Sequence, residues 1–347
     1  MQNKTHEASV NRRSFFQRSS VFGAAAAFLP IAGLLSTPRT ARAVGTLSSG
    51  DVAVLKFLAA AELVETDLWQ QYSELAVSNP RFRRALQIID PALPEYITGD
   101  RDDESSHANF INGYLVAMGE TAVNLDAFRT LPSVPVRGVD QIGRLTSLTN
   151  LTVDTSWYAR YRSAGNPDFG DTFPQIVDIT NRPTVPETDR LSQVAVRSIA
   201  QTAAFHFAAI EQGGASLYLS LLPKVTHLDV VSILGAIGPT EFYHFAIFQT
   251  ALENITSRLP SRNSVTFPDL RKGRQNSQKV TPAPCTFLNA SLPLCSVIRP
   301  ASTANAGAAA AATGLVNSGL FAGQSSDFLN AVVALATAAD AATRGSL

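Results

Sequence analysis

Two Glu-x-x-His pairs, Glu104 with His107 and Glu241 with His244, constrain the fold of this chain more than any other feature. On a helix, residues three positions apart project from one face, so a carboxylate and an imidazole can bind one ion without backbone strain. The recurrence of the pair predicts two helices that each bring such donors to a common centre. Two metal ions are therefore expected.

The first 43 residues have the pattern of a twin-arginine export signal. Residues 11–17 contain the paired arginines, an apolar run follows from Val21 to Leu35, and residues 41–43 resemble a cleavage site. The apolar run is shorter than the roughly 20 residues of a membrane-spanning helix, and Pro30 interrupts it. We therefore predict cleavage, no stable membrane anchor afterwards, and a periplasmic or secreted location.

Removal of this leader changes the charge of the chain. The full sequence balances 28 basic against 28 acidic side chains, whereas residues 44–347 keep 22 and 27. A mildly acidic chain without a long basic run argues against a nucleic acid partner, because phosphate binding needs clustered Lys and Arg. No apolar run beyond the leader is expected to be long enough to span a membrane. An oxidising compartment would favour a disulfide between Cys285 and Cys295, and two free buried thiols are the alternative.

Hydrophobic periodicity predicts four long helices, two before and two after a long interruption. They are expected from Asp51 to Leu75, from Asp102 to Met118, from a Thr188 cap to Leu222, and from Thr226 to about Ser257. Pro239 lies within the fourth helix and cannot donate a backbone hydrogen bond. A kink or a short break is therefore expected just before Glu241.

Residues 44–258 are expected to form one domain, within which residues 121–187 make an ordered crossover. A structureless loop of that length is uncommon in a compact domain. Its aromatic side chains favour packing against the helices; they are Trp157, Tyr158, Tyr161, Phe169 and Phe173. Residues 259–347 begin with a Pro-rich segment and end in a helix predicted from Asp327 to Thr343, which either lies against its own chain or makes an oligomer contact.

The order of the acidic and imidazole groups resembles the ferritin-like dinuclear carboxylate superfamily. Three segments, residues 61–65, 144–158 and 239–244, are more closely similar to exported bacterial ferritin-like domain proteins related to desiccation-associated proteins. The resemblance implies an all-α fold, a ferritin-like antiparallel four-helix bundle with a long crossover between its second and third helices. The C-terminal extension lies outside the resemblance.

The resemblance also implies a ligand set. Glu104 and His107 would bind one metal, Glu241 and His244 the other, and Glu211 with a glutamate of the first helix would complete or bridge them. Glu62 is preferred on that helix because Trp69 follows it by seven residues, as Tyr218 follows Glu211. Glu65 has Tyr72 at the same spacing and stays the alternative. His206 is expected to be a core histidine, and His227 needs no special role.

Carboxylates and imidazoles suit iron or manganese. The similarity to manganese catalases implies a dimetal oxidoreductase or catalase-like enzyme, with peroxide or dioxygen as the small-molecule oxidant. The competing hypothesis is a non-catalytic bundle that protects the cell envelope during drying or other stress and keeps only a vestigial metal site. The sequence predicts neither the metal nor the oligomeric state.

Overall fold

The computed structural model describes residues 45–154, 179–253, 284–285, 288–295 and 307–344. These residues are mostly helical, as predicted. The helices are α1 (Ser49–Ser78), α2 (Pro80–Ile89), α3 (Leu93–Ala117), α4 (Gln193–Leu221), α5 (Leu228–Glu253), α6 (Ala308–Ser318) and α7 (Ser326–Asp340). Strands β1 (Leu151–Val153) and β2 (Ile179–Arg182) form a small antiparallel sheet. Short 3-10 turns cover Asp126–Phe128 and Leu222–Lys224.

The four predicted long helices correspond to α1, α3, α4 and α5, but two of their starting points were wrong. Helix α3 begins nine residues before the predicted Asp102, because Pro94 is compatible with a first turn and the acidic run lies mid-helix. Helix α4 begins after Ser192, whose hydroxyl accepts from the backbone N–H of Ala195. Thr188 accepts instead from Arg190, in a turn before the helix.

Helix α2 was not predicted. The side chain of Asn79 caps it by accepting from the backbone N–H groups of Arg81 and Phe82, and Pro80 occupies its first position. Helix α5 runs through Pro239 without interruption, so the predicted break is wrong, while a kink there stays a prediction. The predicted continuation of this helix to Ser257 lies outside the described residues.

Contacts along α1 show that it runs antiparallel to α3. Lys56 near the start of α1 bonds Glu120 just beyond the end of α3, at 3.1 Å. Ser73 near the end of α1 meets Arg101 in the first half of α3, at 3.3 Å. The chain therefore reverses direction between α1 and α3, across the short helix α2.

Helix α1 is also antiparallel to α4, because Asp51 accepts from Thr226 beyond the end of α4 and Tyr72 meets His206 nearer its start. Helices α3 and α4 consequently run in the same direction. Helix α5 then returns antiparallel to α4, with His244 opposite Glu211. These four long helices bring their inward faces together.

Buried polar contacts join α1 to the segment that follows α3. The carboxylate of Asp67 accepts from the backbone N–H groups of Leu145 and Thr146, at 3.0 Å each, and pairs with Arg129 at 2.7 Å. Because a side chain of α1 accepts these backbone hydrogen bonds, the segment is held against the helix without forming a sheet. The aromatic residues singled out in the crossover lie outside the described residues; they are Trp157, Tyr158, Tyr161, Phe169 and Phe173.

Helix α7 lies against its own chain, the first of the two alternatives for the tail. Phe328 packs edge-on against Phe128, with ring centroids 5.5 Å apart, and Lys224 donates to the carbonyl of Asp340 at 2.5 Å. Cys285 and Cys295 are both free, so the favoured disulfide is absent.

By length and composition one described helix, Leu228–Leu252 within α5, could span a membrane, with a mean hydropathy of 1.3. The prediction that no apolar run beyond the leader would suffice is therefore wrong. The same segment carries Glu241 and His244 towards the other long helices. Of its most apolar window 39% is buried, and the donors on its inner face make that face polar.

Candidate metal centre

The six sequence-predicted ligands converge from four helices. Glu62 comes from α1, Glu211 from α4, and α3 and α5 contribute one Glu-x-x-His pair each. Their donor atoms form two overlapping groups in which all donors lie within 4.8 Å of one another. The groups are Glu62, Glu104, His107 and Glu241, and Glu104, Glu211, Glu241 and His244. Glu104 and Glu241 belong to both, so they lie between the two halves of the centre.

All six side chains are buried. Glu104, Glu211 and Glu241 are 0% exposed, and His107, the most accessible of the six, is 9% exposed. A carboxylate taken out of water is costly unless a proton, a cation or several hydrogen bonds compensate it. Four buried carboxylates at one point therefore require compensating positive charge.

Both imidazoles present Nδ1 to the carboxylates. Nδ1 of His107 lies 3.2 Å from Glu104 and 3.4 Å from both Glu62 and Glu241. Nδ1 of His244 lies 3.2 Å from Glu104 and from Glu211. The i, i+3 spacing within α3 produces the first of these contacts directly.

The outer nitrogen of His244 faces two aspartates of α3. Nε2 lies 3.1 Å from Asp103 and 3.7 Å from Asp100. A carboxylate on the second nitrogen fixes the orientation of a metal-binding imidazole and makes it a better ligand. These aspartates were not predicted as partners of His244, because Asp100 lies before the predicted helix start at Asp102 and both contacts join residues far apart in sequence.

Tyr218 and two glycines complete the surroundings, and sequence reasoning had missed these roles. The buried Tyr218 hydroxyl donates a short hydrogen bond to Glu62. A Cβ at Gly238 would lie 2.8 Å from Cβ of Tyr218, and a Cβ at Gly214 would lie 2.5 Å from a carboxylate oxygen of Glu241. Both glycines are therefore needed for side chains of the centre to reach their positions. Glycines within apolar helices are the signal that could have indicated them.

Glu65 is not part of either donor group, whereas Glu62 is. One Glu65 oxygen is buried and makes no hydrogen bond within the described part of the chain. Burial, followed by the negative charges of Glu241 and Glu104, raises the pKa of Glu65 well above its usual range. The geometry thus favours Glu62 as the α1 ligand and gives Glu65 a position beside the centre.

Despite burial, the carboxylates around the two imidazoles raise the pKa of both His107 and His244. Burial opposes the charged form of His107, but its contacts with Glu104, Glu241 and Glu62 outweigh burial and raise its pKa to about 12. Burial, followed by the negative charge of Glu104, raises the pKa of Glu241 to about 7. Burial likewise raises the pKa of Glu211 well above its usual range. Protons thus supply part of the compensating charge, and cations would displace them.

Several oxygens of the centre have no hydrogen-bond partner among the described residues. They are Glu62 Oε2, Glu104 Oε1, Glu211 Oε1 and both oxygens of Glu241. Three of them, Glu62 Oε2, Glu104 Oε1 and Glu241 Oε1, lie 3.2–3.4 Å from an imidazole Nδ1 without accepting a well-directed hydrogen bond. Buried polar atoms rarely stay unpartnered, because the lost hydration is costly. Carboxylate and imidazole donors turned towards one another in this way fit metal ions.

The other two histidines of the described part of the chain, His206 and His227, lie apart from this cluster. His206 is buried, and its Nδ1 lies 2.8 Å from the Tyr72 hydroxyl. Burial lowers its pKa to about 3, so it is neutral. It is a core histidine, as expected, although its Nε2 has no partner among the described residues. His227 lies at the start of α5 with Nε2 3.1 Å from the carbonyl of Gly45. Trp69 stacks on Phe248 at 5.3 Å between ring centroids and belongs to the core.

Comparison with known protein families identifies a ferritin-like domain over residues 50–254, more than half of the chain. Comparison with curated proteins and with solved structures gives no match. The matched region spans α1 to α5 and contains all six donors of the cluster. The chain therefore belongs to the ferritin-like domain family.

Proposed function

We propose that the chain binds two iron or manganese ions within an antiparallel ferritin-like four-helix bundle and uses them to react with peroxide or dioxygen. The observation that carries this proposal is the pair of buried donor groups that share Glu104 and Glu241. Shared carboxylates between two imidazole-bearing halves are the arrangement that two adjacent ions need.

Charge supports two ions rather than one. Each donor group combines three carboxylates with one imidazole, and the whole centre has four carboxylates. Two divalent ions balance these charges once both imidazoles have lost their extra protons. Iron and manganese accept such oxygen-rich ligands. When bound, such a pair supplies one-electron changes between the +2 and +3 states.

The chain's own residues orient and shield the donors. Asp103 accepts from Nε2 of His244 and so directs its Nδ1 inward. Tyr218 holds one oxygen of Glu62, and the other oxygen faces His107 within the donor group, where an ion would bind. Because these groups are buried, bulk water is excluded and their electrostatic effects on a small oxidant are strong.

The second candidate function is a non-catalytic, stress-protective bundle. It is favoured by the raised pKa of His107, since a protonated imidazole lets the polar centre persist without metal. In that case the cluster would give the fold its specificity and no chemistry. Export by the twin-arginine leader, to the periplasm or outside the cell, is part of both proposals.

Anaerobic loading followed by exposure to oxidant tests the redox proposal. The metal-free chain is loaded with iron(II) or manganese(II), mixed with hydrogen peroxide or dioxygen, and followed by oxidant consumption and by visible absorbance. Glu104→Gln removes a shared ligand, and Glu95→Gln on the exposed side of α3 is the matched control.

The wild type and the Glu95→Gln control should consume oxidant, and Glu104→Gln should not. Equal consumption by all three proteins would refute the assignment of the centre. A loaded wild type that consumes neither oxidant would leave the protective function as the better account.

A further inference from the structure

An open cavity of about 360 Å³ lies between α4 and α5, beside the candidate metal centre. Its walls are largely apolar and include Tyr218, Leu219, Leu222, Leu234, Pro239 and Phe242. Tyr218 is the lining residue with a polar side-chain group, and no charged side chain of the described residues lines the cavity. The cavity therefore has the largely apolar character of a small-molecule site.

Two glycines of α5 create this space. A Cβ at Gly235 would meet nothing within 4 Å, so the missing side chain leaves the cavity open. A Cβ at Gly238 would lie 2.8 Å from Cβ of Tyr218, so glycine there lets the tyrosine ring lie directly against α5. Glycine within a helix costs about 1 kcal/mol relative to alanine. Here it makes room for both the cavity and the Tyr218 ring.

Tyr218 connects the cavity to the centre. Its side chain lines the cavity, while its hydroxyl donates to the candidate ligand Glu62. The residue is 3% exposed, so its ring forms part of the wall between the two spaces. A molecule in the cavity would contact the residue that positions a ligand.

We propose that this cavity binds a small, neutral, apolar molecule, an aromatic ring or a compact alkyl group. An apolar cavity of about 150 Å³ is enough to hold benzene. The larger volume here accommodates a substituted ring, and the lack of charged lining disfavours ions, whose desolvation would go uncompensated. The site lies beyond the proposed metal function and does not require the metal to be present.

Tyrosine-selective NMR on the full chain tests the proposal, with toluene as the probe and benzoate as its charged counterpart. The sequence has seven tyrosines, and the Tyr218→Phe variant assigns the signal of Tyr218. Toluene should shift the Tyr218 resonance with saturation, and benzoate at the same concentrations should not. Measurements on metal-free and metal-supplemented protein separate a failure of this proposal from a failure of the metal proposal.

Filling the cavity provides the second test. Gly235→Leu should weaken toluene binding by at least about tenfold, whereas Gly113→Leu on α3, where a Cβ also meets nothing within 4 Å, should leave it unchanged. Circular dichroism establishes that both variants fold. If Gly235→Leu does not fold, the comparison of toluene with benzoate still decides. Absence of a saturable Tyr218 shift, an equal shift with benzoate, or unchanged binding by folded Gly235→Leu would overturn the proposal.

Discussion

Gly213 and Gly214 are neighbours within α4, yet a methyl group should have opposite effects at the two positions. A Cβ at Gly213 would meet nothing within 4 Å. A Cβ at Gly214 would lie 2.5 Å from Oε2 of Glu241 and 3.3 Å from its carboxylate carbon. Gly214→Ala is therefore a perturbation aimed at a shared ligand, and Gly213→Ala is its matched control.

The size of the required movement predicts the consequence. Ordinary contact begins near 3.4 Å, so the Glu241 oxygen must retreat by about 0.9 Å. Metal–ligand distances tolerate deviations of only about 0.2 Å. We expect Gly214→Ala to lower metal affinity on the order of 10- to 100-fold, the range seen when groups that support a metal site are altered. Gly213→Ala should instead stabilise α4 by about 0.5–1 kcal/mol without affecting metal binding.

Metal titration by calorimetry, together with thermal unfolding of the metal-free proteins, measures both quantities. The predicted pattern is weakened metal binding in a folded Gly214→Ala protein and unchanged binding in Gly213→Ala. If Gly214→Ala binds metal as tightly as the wild type, Glu241 is not a ligand in the position described.

Three further predictions follow from individual contacts. Asp103→Asn removes the carboxylate that faces Nε2 of His244 and should lower metal affinity about 10- to 100-fold, measured by competition with a chelator. Unchanged affinity would show that Asp103 does not orient His244. Burial alone would raise the pKa of Asp51, but hydrogen bonds from Thr226 and Ser48 hold it below its ordinary value of 3.8. The stability that Asp51 contributes is therefore present above pH 3.8 and lost as the pH falls through the lower folded pKa. Asp51→Asn should reduce the free energy of unfolding at neutral pH by about 1–3 kcal/mol, measured by urea titration. Wild-type stability in the variant would contradict this. Despite burial, the neighbouring carboxylates raise the pKa of His107 to about 12, so metal uptake should release protons to an indicator dye and the apparent affinity should rise with pH. Uptake without proton release would show that the imidazole is neutral beforehand.

The clustering of the six side chains was largely predictable from the sequence, because its strongest signal is local. Glu104 with His107, and Glu241 with His244, fall on one helix face through spacing alone, whatever the rest of the fold does. The choice of Glu62 over Glu65 rested on a weaker signal, the aromatic residue seven positions later. The structure places Glu62 in the donor group and Glu65 beside it.

Contacts between distant segments had no comparable signal. The pairing of Asp103 with His244 and that of Tyr218 with Glu62 both join residues far apart in sequence. Their existence depends on helix register, which periodicity does not specify. The helix starting at Pro80 and the early start of α3 were also not predicted. In both helices a proline occupies the first turn, where no backbone N–H is needed and its fixed φ suits the helix.

Elemental analysis of the purified chain, expressed with its own leader, tests the central claim most directly. The proteins to compare are the wild type, the double variant Glu104→Ala, His107→Ala, and the control Glu95→Ala, His227→Ala, which changes the same residue types outside the donor groups. The account predicts about two iron or manganese atoms per chain in the wild type and the control, and their loss from the first variant. A folded, metal-free wild type that also fails to take up added iron or manganese would contradict it.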